Sequence, residues 1–377
     1  MPGVFSKLRV PAGALVLAAA LPLVVVPAAR ADVLIAELPG LPGYPTHRAA
    51  GVNDLGQVIG TAEGNGPIRA VHWTPGGAAA DLGAGSPGAI NQQGQVLISQ
   101  SSTSGGYYVN RPRVWQAGQA VDVGPSGAGW VSAAAINGRG EVPMSYSSSP
   151  SGYHQTNAAV WRDGTHVALP VSGPHLFISA INDAGVVVGS KLPMFEGDRY
   201  AFRCAGTTCT RLAEVPGTDG YEVRGINEAG VVVGNRDDRV LRWEGDQVTV
   251  LSPGRVAYGS QVLNERGDAV GSAADANGVR RATLWPAGGK PVDLGVPGPS
   301  EAVAVNDLGD VVGWSGSSSP RAFLWRAGKV TWLGSLGGTR SRPVALNNRG
   351  VVVGESTDSA NVVKAVKWTV PAAGPVR

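Results

Sequence analysis

One short pattern recurs eight times along this 377-residue chain, and a unit so small can bury an apolar face only against its own copies. The copies read AAGVNDLGQVIG, SPGAINQQGQVLI, AAAINGRGEVPM, ISAINDAGVVVG, VRGINEAGVVVG, SQVLNERGDAVG, AVAVNDLGDVVG and PVALNNRGVVVG. Their asparagines are Asn53, Asn91, Asn137, Asn182, Asn227, Asn264, Asn306 and Asn347, spaced 37 to 46 residues apart. Each Asn stands three residues before a Gly. That spacing suits a tight hairpin in which Asn opens the turn and Gly closes it at positive φ.

An aliphatic residue precedes every Asn, and the residue before that is small in almost every copy, which fits a strand crowded near a common axis. Further along each unit comes a second landmark of the type AVHW, ATLW or AFLW, with Trp73, Trp115, Trp161, Trp243, Trp285, Trp325 and Trp368. A Gly-containing turn and a further strand follow, as in KVTWLGSLGG. Each unit therefore reads as a four-stranded meander of about 43 residues, the size of a propeller blade. The last copy ends after its Trp strand, and DVLIAELPGLPG ahead of the first copy supplies the missing one. The expected fold is all-β, a β-propeller of eight four-stranded blades closed by the N-terminal strand pairing into the last blade. Closure of that kind leaves no long free edge.

AVAVNDLGDVVGWS, RAFLWRAG and WLGSLGG, in that order between residues 302 and 338, resemble the HAF-repeat family of bacterial extracellular proteins. The resemblance spans residues 32–377 and implies an exported propeller-like protein. The family carries no catalytic motif to transfer. Three departures stand out: Cys204 occupies the Trp position of the fourth unit, and Ile98 and Met144 replace the Gly found after the second strand in the other six.

Residues 1–31 have the parts of an export signal: Lys7 and Arg9, an apolar run, and the Ala29-Arg30-Ala31 cleavage pattern. The expected organisation is a signal peptide over 1–31 and one propeller domain over 32–377. Removing 1–31 takes away Lys7, Arg9 and Arg30 and no acidic residue, so 31 Lys+Arg become 28, equal to the 28 Asp+Glu. A neutral mature chain offers no electrostatic argument for nucleic acid or an anionic membrane. No later segment reaches the ~20 unbroken apolar residues of a transmembrane anchor. The expected location is secreted, extracellular or periplasmic, and the expected state is a monomer.

Cys204 and Cys209, the only cysteines, flank one predicted hairpin turn, so an oxidising compartment implies a cross-hairpin disulfide. Five His residues fall at different repeat positions with no partner at ligand spacing. Asp275-Ala-Asn277-Gly278 is a fragment of a calcium loop with no completing acid. Asp54, Asp183, Glu228, Glu265 and Asp307 follow the repeated Asn, but Gln92, Gly138 and Asn348 interrupt a ring of carboxylates, so turn propensity accounts for them. No catalytic residue, metal or cofactor is expected.

The longest connections between second and third strands are SQSSTSGGYYVNRP in blade 2 and SYSSSPSGYHQTNA in blade 3. They hold Tyr107, Tyr108, Tyr146, Tyr153 and His154, and Trp130 lies in the connection between those blades. Tyr and Trp with Ser and Gly suit recognition, because rings give contact area at low entropic cost. The same composition also suits a long solvated loop. Arg340 and Arg342 add charge on the same face. The expected function is a non-enzymatic module that binds an extracellular or envelope glycan or protein. A propeller hydrolase or lyase with groups from several blades, and a structural scaffold, stand as alternatives.

Overall fold

The computed structural model describes residues 33–371 apart from 105–106, 150–155, 193–197 and 217–219, with residues 104, 107 and 108 described at the backbone. These residues form thirty-two strands in eight four-stranded antiparallel sheets. Blade 1 starts with the inner strand Thr46–Val52 and ends with the outer strand Ala79–Ala84; blades 2 to 7 repeat the order inner to outer. Blade 8 takes its inner three strands, Gly337–Leu346, Val351–Asp358 and Val363–Thr369, from the end of the chain and its outer strand, Leu34–Glu37, from the beginning. Ile35 faces Trp368 across that seam and Glu37 faces Val366. The propeller is closed as its complementary ends predict.

The repeated asparagines do more than turn the chain. All eight are buried. Each Oδ1 accepts the backbone N–H four residues on, at 2.8–3.0 Å, which completes its own hairpin. Each Nδ2 donates to the main-chain carbonyl of the next blade's Asn at 2.9–3.1 Å, from Asn53 to Asn91 and onward until Asn347 donates to Asn53. The result is a closed, one-directional ring of eight amides. The Gly three residues later has φ between 77° and 86° in every copy, the left-handed conformation the turn requires.

A second ring lies beside the first and corrects the reading of the acidic positions. At seven of the eight joints the backbone N–H of the residue after the Asn donates to the side-chain oxygen of its counterpart in the next blade. Asp183 donates to Glu228 at 2.8 Å, Glu228 to Glu265 at 2.9 Å, Glu265 to Asp307 at 2.9 Å and Asn348 to Asp54 at 2.8 Å. Gln92 and Asn348 accept in the same way from Asp54 and Asp307. The shared requirement is a side-chain oxygen, not a negative charge. Only Gly138 lacks one, so the link from blade 2 to blade 3 is missing. Glu265 shows the cost of crowding: burial, then the neighbouring carboxylates of Glu228, Asp307 and Asp183, push its carboxyl up.

The apolar core is distributed between neighbouring blades. Val270, Ala282 and Leu284 of blade 6 pack against Ala302, Val305, Val311 and Phe323 of blade 7, and equivalent clusters sit at the other joints. The departures at Ile98 and Met144 follow from volume. Gly189 and Gly313 face Phe202 and Phe323 across the second and third strands, whereas Ile98 and Met144 face Arg113 and Ala159. In these blades the bulky apolar side chain comes from one strand or the other. Cys204 sits fully buried at the Trp position and is bonded to Cys209 directly opposite.

Candidate functional site

The eight inner strands enclose a channel of about 940 Å³ lined by residues of every blade. Near the asparagine ring its wall is small and aliphatic. Five residues further up the inner strands, roughly 16 Å at the usual ~3.3 Å rise, the wall changes. Blades 8 and 1 line it there with Arg342, Glu355 and Arg48, while Ser86, Ser132, Glu222 and Glu301 hold the same strand position in blades 2, 3, 5 and 7 outside the lining. The mouth of the channel is therefore polar and lopsided.

Blade 6 accounts for much of the asymmetry. In blade 7 the inner-strand residue opposite Gly313 is Ala302, four before Asn306; in blade 6 the residue opposite the equivalent Gly271 is Val256, eight before Asn264. Blade 6 thus carries four extra residues at the place where six other inner strands have a register shift. Its inner strand shrinks to Arg255–Val256, and the chain from Ala257 to Val262 swings along the channel wall. Gln261 holds the excursion in place: its carbonyl accepts the Val305 N–H at 2.9 Å and its Oε1 accepts the Leu346 N–H of blade 8 at 2.8 Å.

The excursion carries Tyr258, a residue 70% exposed. Arg224, the bulged residue of blade 5, lays its guanidinium over the Tyr258 ring at 3.4 Å from the centroid and pairs with Glu222. A second stack stands on the blade 7–8 side, where Arg342 lies over Trp314 at 4.3 Å. Such stacking fixes a guanidinium plane while leaving its N–H edge available. Arg48 pairs with Glu355 of blade 8 and approaches Glu63 at 3.4 Å. Glu301 stands opposite Trp314 on the neighbouring strand. Burial pushes its carboxyl up, with the charges of Arg342 and Arg280 opposing that shift.

A smaller cleft of about 100 Å³ opens where blades 8 and 1 meet, lined by Arg48, Arg340, Arg342 and Glu355 with Ser341, Ser356 and Thr357. It shares Arg48, Arg342 and Glu355 with the channel. The two arginines singled out in the sequence as added charge are thus central to the most polar part of the mouth.

Of the aromatic residues singled out in blades 2 and 3, the two that are described, Trp130 and Tyr146, line neither the channel nor the cleft. The connection read as a loop in blade 2 is a long hairpin, Val96–Ser104 paired with Tyr107–Gln116, in which Ser104 faces Tyr107 and Thr103 faces Tyr108. The side chains of Tyr107 and Tyr108, and Tyr153 and His154 altogether, lie outside the described residues. Trp130 belongs to the inner strand Trp130–Ala133, opposite Ser147. Tyr146 is half-buried and packs on the core between blades 2 and 3 with Trp161, a structural role that its place in a predicted loop concealed. Tyr258 and Trp314 were missed because neither lies in a long connection. Among the described residues no group of three or more His, Cys, Asp or Glu could hold a metal ion, and no helix is long and apolar enough to cross a membrane.

No protein-family model and no curated protein matches the sequence. Solved structures do share the architecture. Dipeptidyl peptidase 4 of Porphyromonas gingivalis is 9% identical, with a TM-score of 0.51 over 74% of this chain and 51% of that one. Pyrococcus horikoshii acylaminoacyl peptidase is 10% identical, with a TM-score of 0.50 over 78% of this chain and 53% of that one. A streptogramin B lyase is 9% identical, with a TM-score of 0.45 over 90% and 98%. At such identities the likenesses to the two peptidases bear on the fold alone, and the eight four-stranded sheets make the chain an eight-bladed β-propeller.

Proposed function

We propose that the protein is a recognition module, exported from a bacterial cell, that binds an extracellular or envelope glycan at the mouth of its channel. The observation that carries this reading is the four-residue excursion of blade 6, which breaks the regularity of the inner strands and places an exposed Tyr258 over open channel. A repeat that serves only as scaffold has no use for that departure. Two aromatic rings with stacked guanidiniums, polar side chains and a concave mouth are the ingredients of a binding site. The resemblance to HAF repeats and the export signal read in residues 1–31 support the location, and the disulfide is in keeping with an oxidising compartment.

The test is a glycan array probed with the chain from residue 32 onward, beside a Tyr258→Ala/Trp314→Ala variant whose folding is checked by thermal melting. Binding by the parent that the variant loses is the expected outcome. Binding of equal strength in the variant would move the site away from the mouth.

One observation favours the alternative of a propeller hydrolase or lyase. Glu301, whose carboxyl burial pushes up against the opposing charges of Arg342 and Arg280, stands opposite Trp314 of the channel wall, the kind of group a general acid requires. Cleavage of a bound glycan that Glu301→Gln abolishes without weakening binding would establish that reading.

A further inference from the structure

We infer that the cleft between blades 8 and 1 receives an oxyanion, and that the group it takes is the carboxylate of an acidic saccharide whose rings continue into the channel mouth. The inference rests on the recognition reading above and narrows it to a ligand class.

The charge of the cleft comes first. Three guanidiniums, Arg48, Arg340 and Arg342, line it with one carboxylate, Glu355, which Arg48 engages; Glu63, 3.4 Å from Arg48, and Glu301, which feels the charge of Arg342, lie outside the lining. Arg340 and Arg342 have no side-chain hydrogen-bond acceptor or ion-pair partner among the described residues, and the Nε of Arg342 is buried without one. The hydroxyls beside them are committed to the fold: Ser341 Oγ accepts the Ala322 N–H, Ser356 Oγ the Leu336 N–H and Thr357 Oγ1 the Arg340 N–H, at 3.0–3.1 Å. Two planar donor forks therefore remain, one of them locked by its stack on Trp314. Such forks match the paired oxygens of a carboxylate or a phosphate.

The saccharide follows from what adjoins the cleft. At about 100 Å³ it holds a small charged group rather than a whole ring. It opens through Arg48, Arg342 and Glu355 into the far larger channel, where Tyr258 offers an exposed ring on a Tyr-Gly-Ser-Gln segment. A ligand that fits both places pairs a small anionic substituent with polar rings that can stack, as hexuronates do.

Isothermal titration of the full chain would use oligouronates (trigalacturonate, trimannuronate and a hyaluronan hexasaccharide), their methyl esters, inorganic phosphate and an acidic peptide. At least one oligouronate should bind, its affinity should fall as salt rises, and methyl esterification should weaken it at least tenfold. Arg340→Ala should cause a similar loss; this side chain is exposed and makes no bond within the fold, so the variant remains folded. Arg342→Lys, which keeps the charge and removes the fork, should also bind less well. Phosphate alone binding as tightly as any oligouronate would overturn the saccharide assignment, as would preference for the peptide. Uronate binding that ignores both the ester and Arg340→Ala would overturn the cleft. A neutral glycan bound through Tyr258 while every uronate fails would overturn this inference and leave the recognition reading standing; failure of all glycans on the array would remove that reading as well.

Discussion

Asn227 shows how much one side chain does in this fold. Its Oδ1 closes its own turn on the Val231 N–H and its Nδ2 reaches the Asn264 carbonyl in the next blade at 3.1 Å. Asn227→Ala leaves the Asn264 carbonyl buried and the Val231 N–H part-buried without a partner, and a lost buried partner costs about 1–3 kcal/mol. Chemical denaturation should register a loss of about 2–4 kcal/mol by that reckoning. Asn227→Asp should be worse than Ala, because a carboxylate oxygen then faces the Asn264 carbonyl. An Asp variant as stable as the parent would mean that the ring contributes nothing. Periodicity shows that these eight positions are used, but not for what, since the partner of seven amides lies 37 to 46 residues away and that of Asn347 lies 294 away. His72 carries a second prediction at this scale. It is buried beside Trp115, and that burial lowers its pKa. The unfolded chain takes up the proton near pH ~6.5 while the folded one resists, so the stability is present above that value and is lost as pH falls below it. The melting temperature should drop between about pH 7.5 and about pH 5, and His72→Phe should flatten that slope. His47, also buried and lowered, lies 3.4 Å from Glu37, with Lys364 near, and adds in the same direction.

Among the elements, the inner strand of blade 6 is the most informative, and the sequence conceals it. The interval from Asn227 to Asn264 is the shortest of the seven although it contains four extra residues, because blade 5 joins its second and third strands by the tight turn between Arg236 and Arg239. An insertion and a shortening cancel, so spacing alone shows nothing. Deleting residues 258–261 should return blade 6 to the geometry of its neighbours. The variant is expected to fold, to melt within a few degrees of the parent and to lose ligand binding. A variant that fails to fold would show instead that the excursion, through Gln261, is needed to join blades 6, 7 and 8. Blade 2 teaches the converse: a Ser/Gly/Tyr composition that reads as a loop is a paired hairpin, in which an exposed Ser- and Thr-rich strand pairs with a Tyr-containing one.

For the molecule as a whole, strand count and closure were legible, because complementary ends are a property of the linear chain. The position of the candidate site was not, because Arg48 and Arg342 lie 294 residues apart and only closure makes them neighbours. The seam itself is open to test. Removing residues 33–37 leaves Val363–Thr369 as an unpaired edge and strips Glu37 from His47. The truncated chain should melt lower and self-associate on size-exclusion chromatography, as exposed strand edges do. A monomer of unchanged melting temperature would show that closure adds little.

The gap at Gly138 gives the molecule a mechanical grain. Every other joint is fastened twice around the axle, but blades 2 and 3 share the Asn91–Asn137 bond alone there. Further out, Asn110 Nδ2 meets the Val131 carbonyl at 3.0 Å and the His166 ring meets the Val123 carbonyl at 2.9 Å. That joint is a wheel spoke pinned nearer the rim than the hub. Pulled apart or warmed, the wheel should gape there first from its centre outward, and a side chain at position 138 is no simple pin, because its Cβ would fall within 3 Å of the Asp183 carboxylate that accepts the Gly138 N–H.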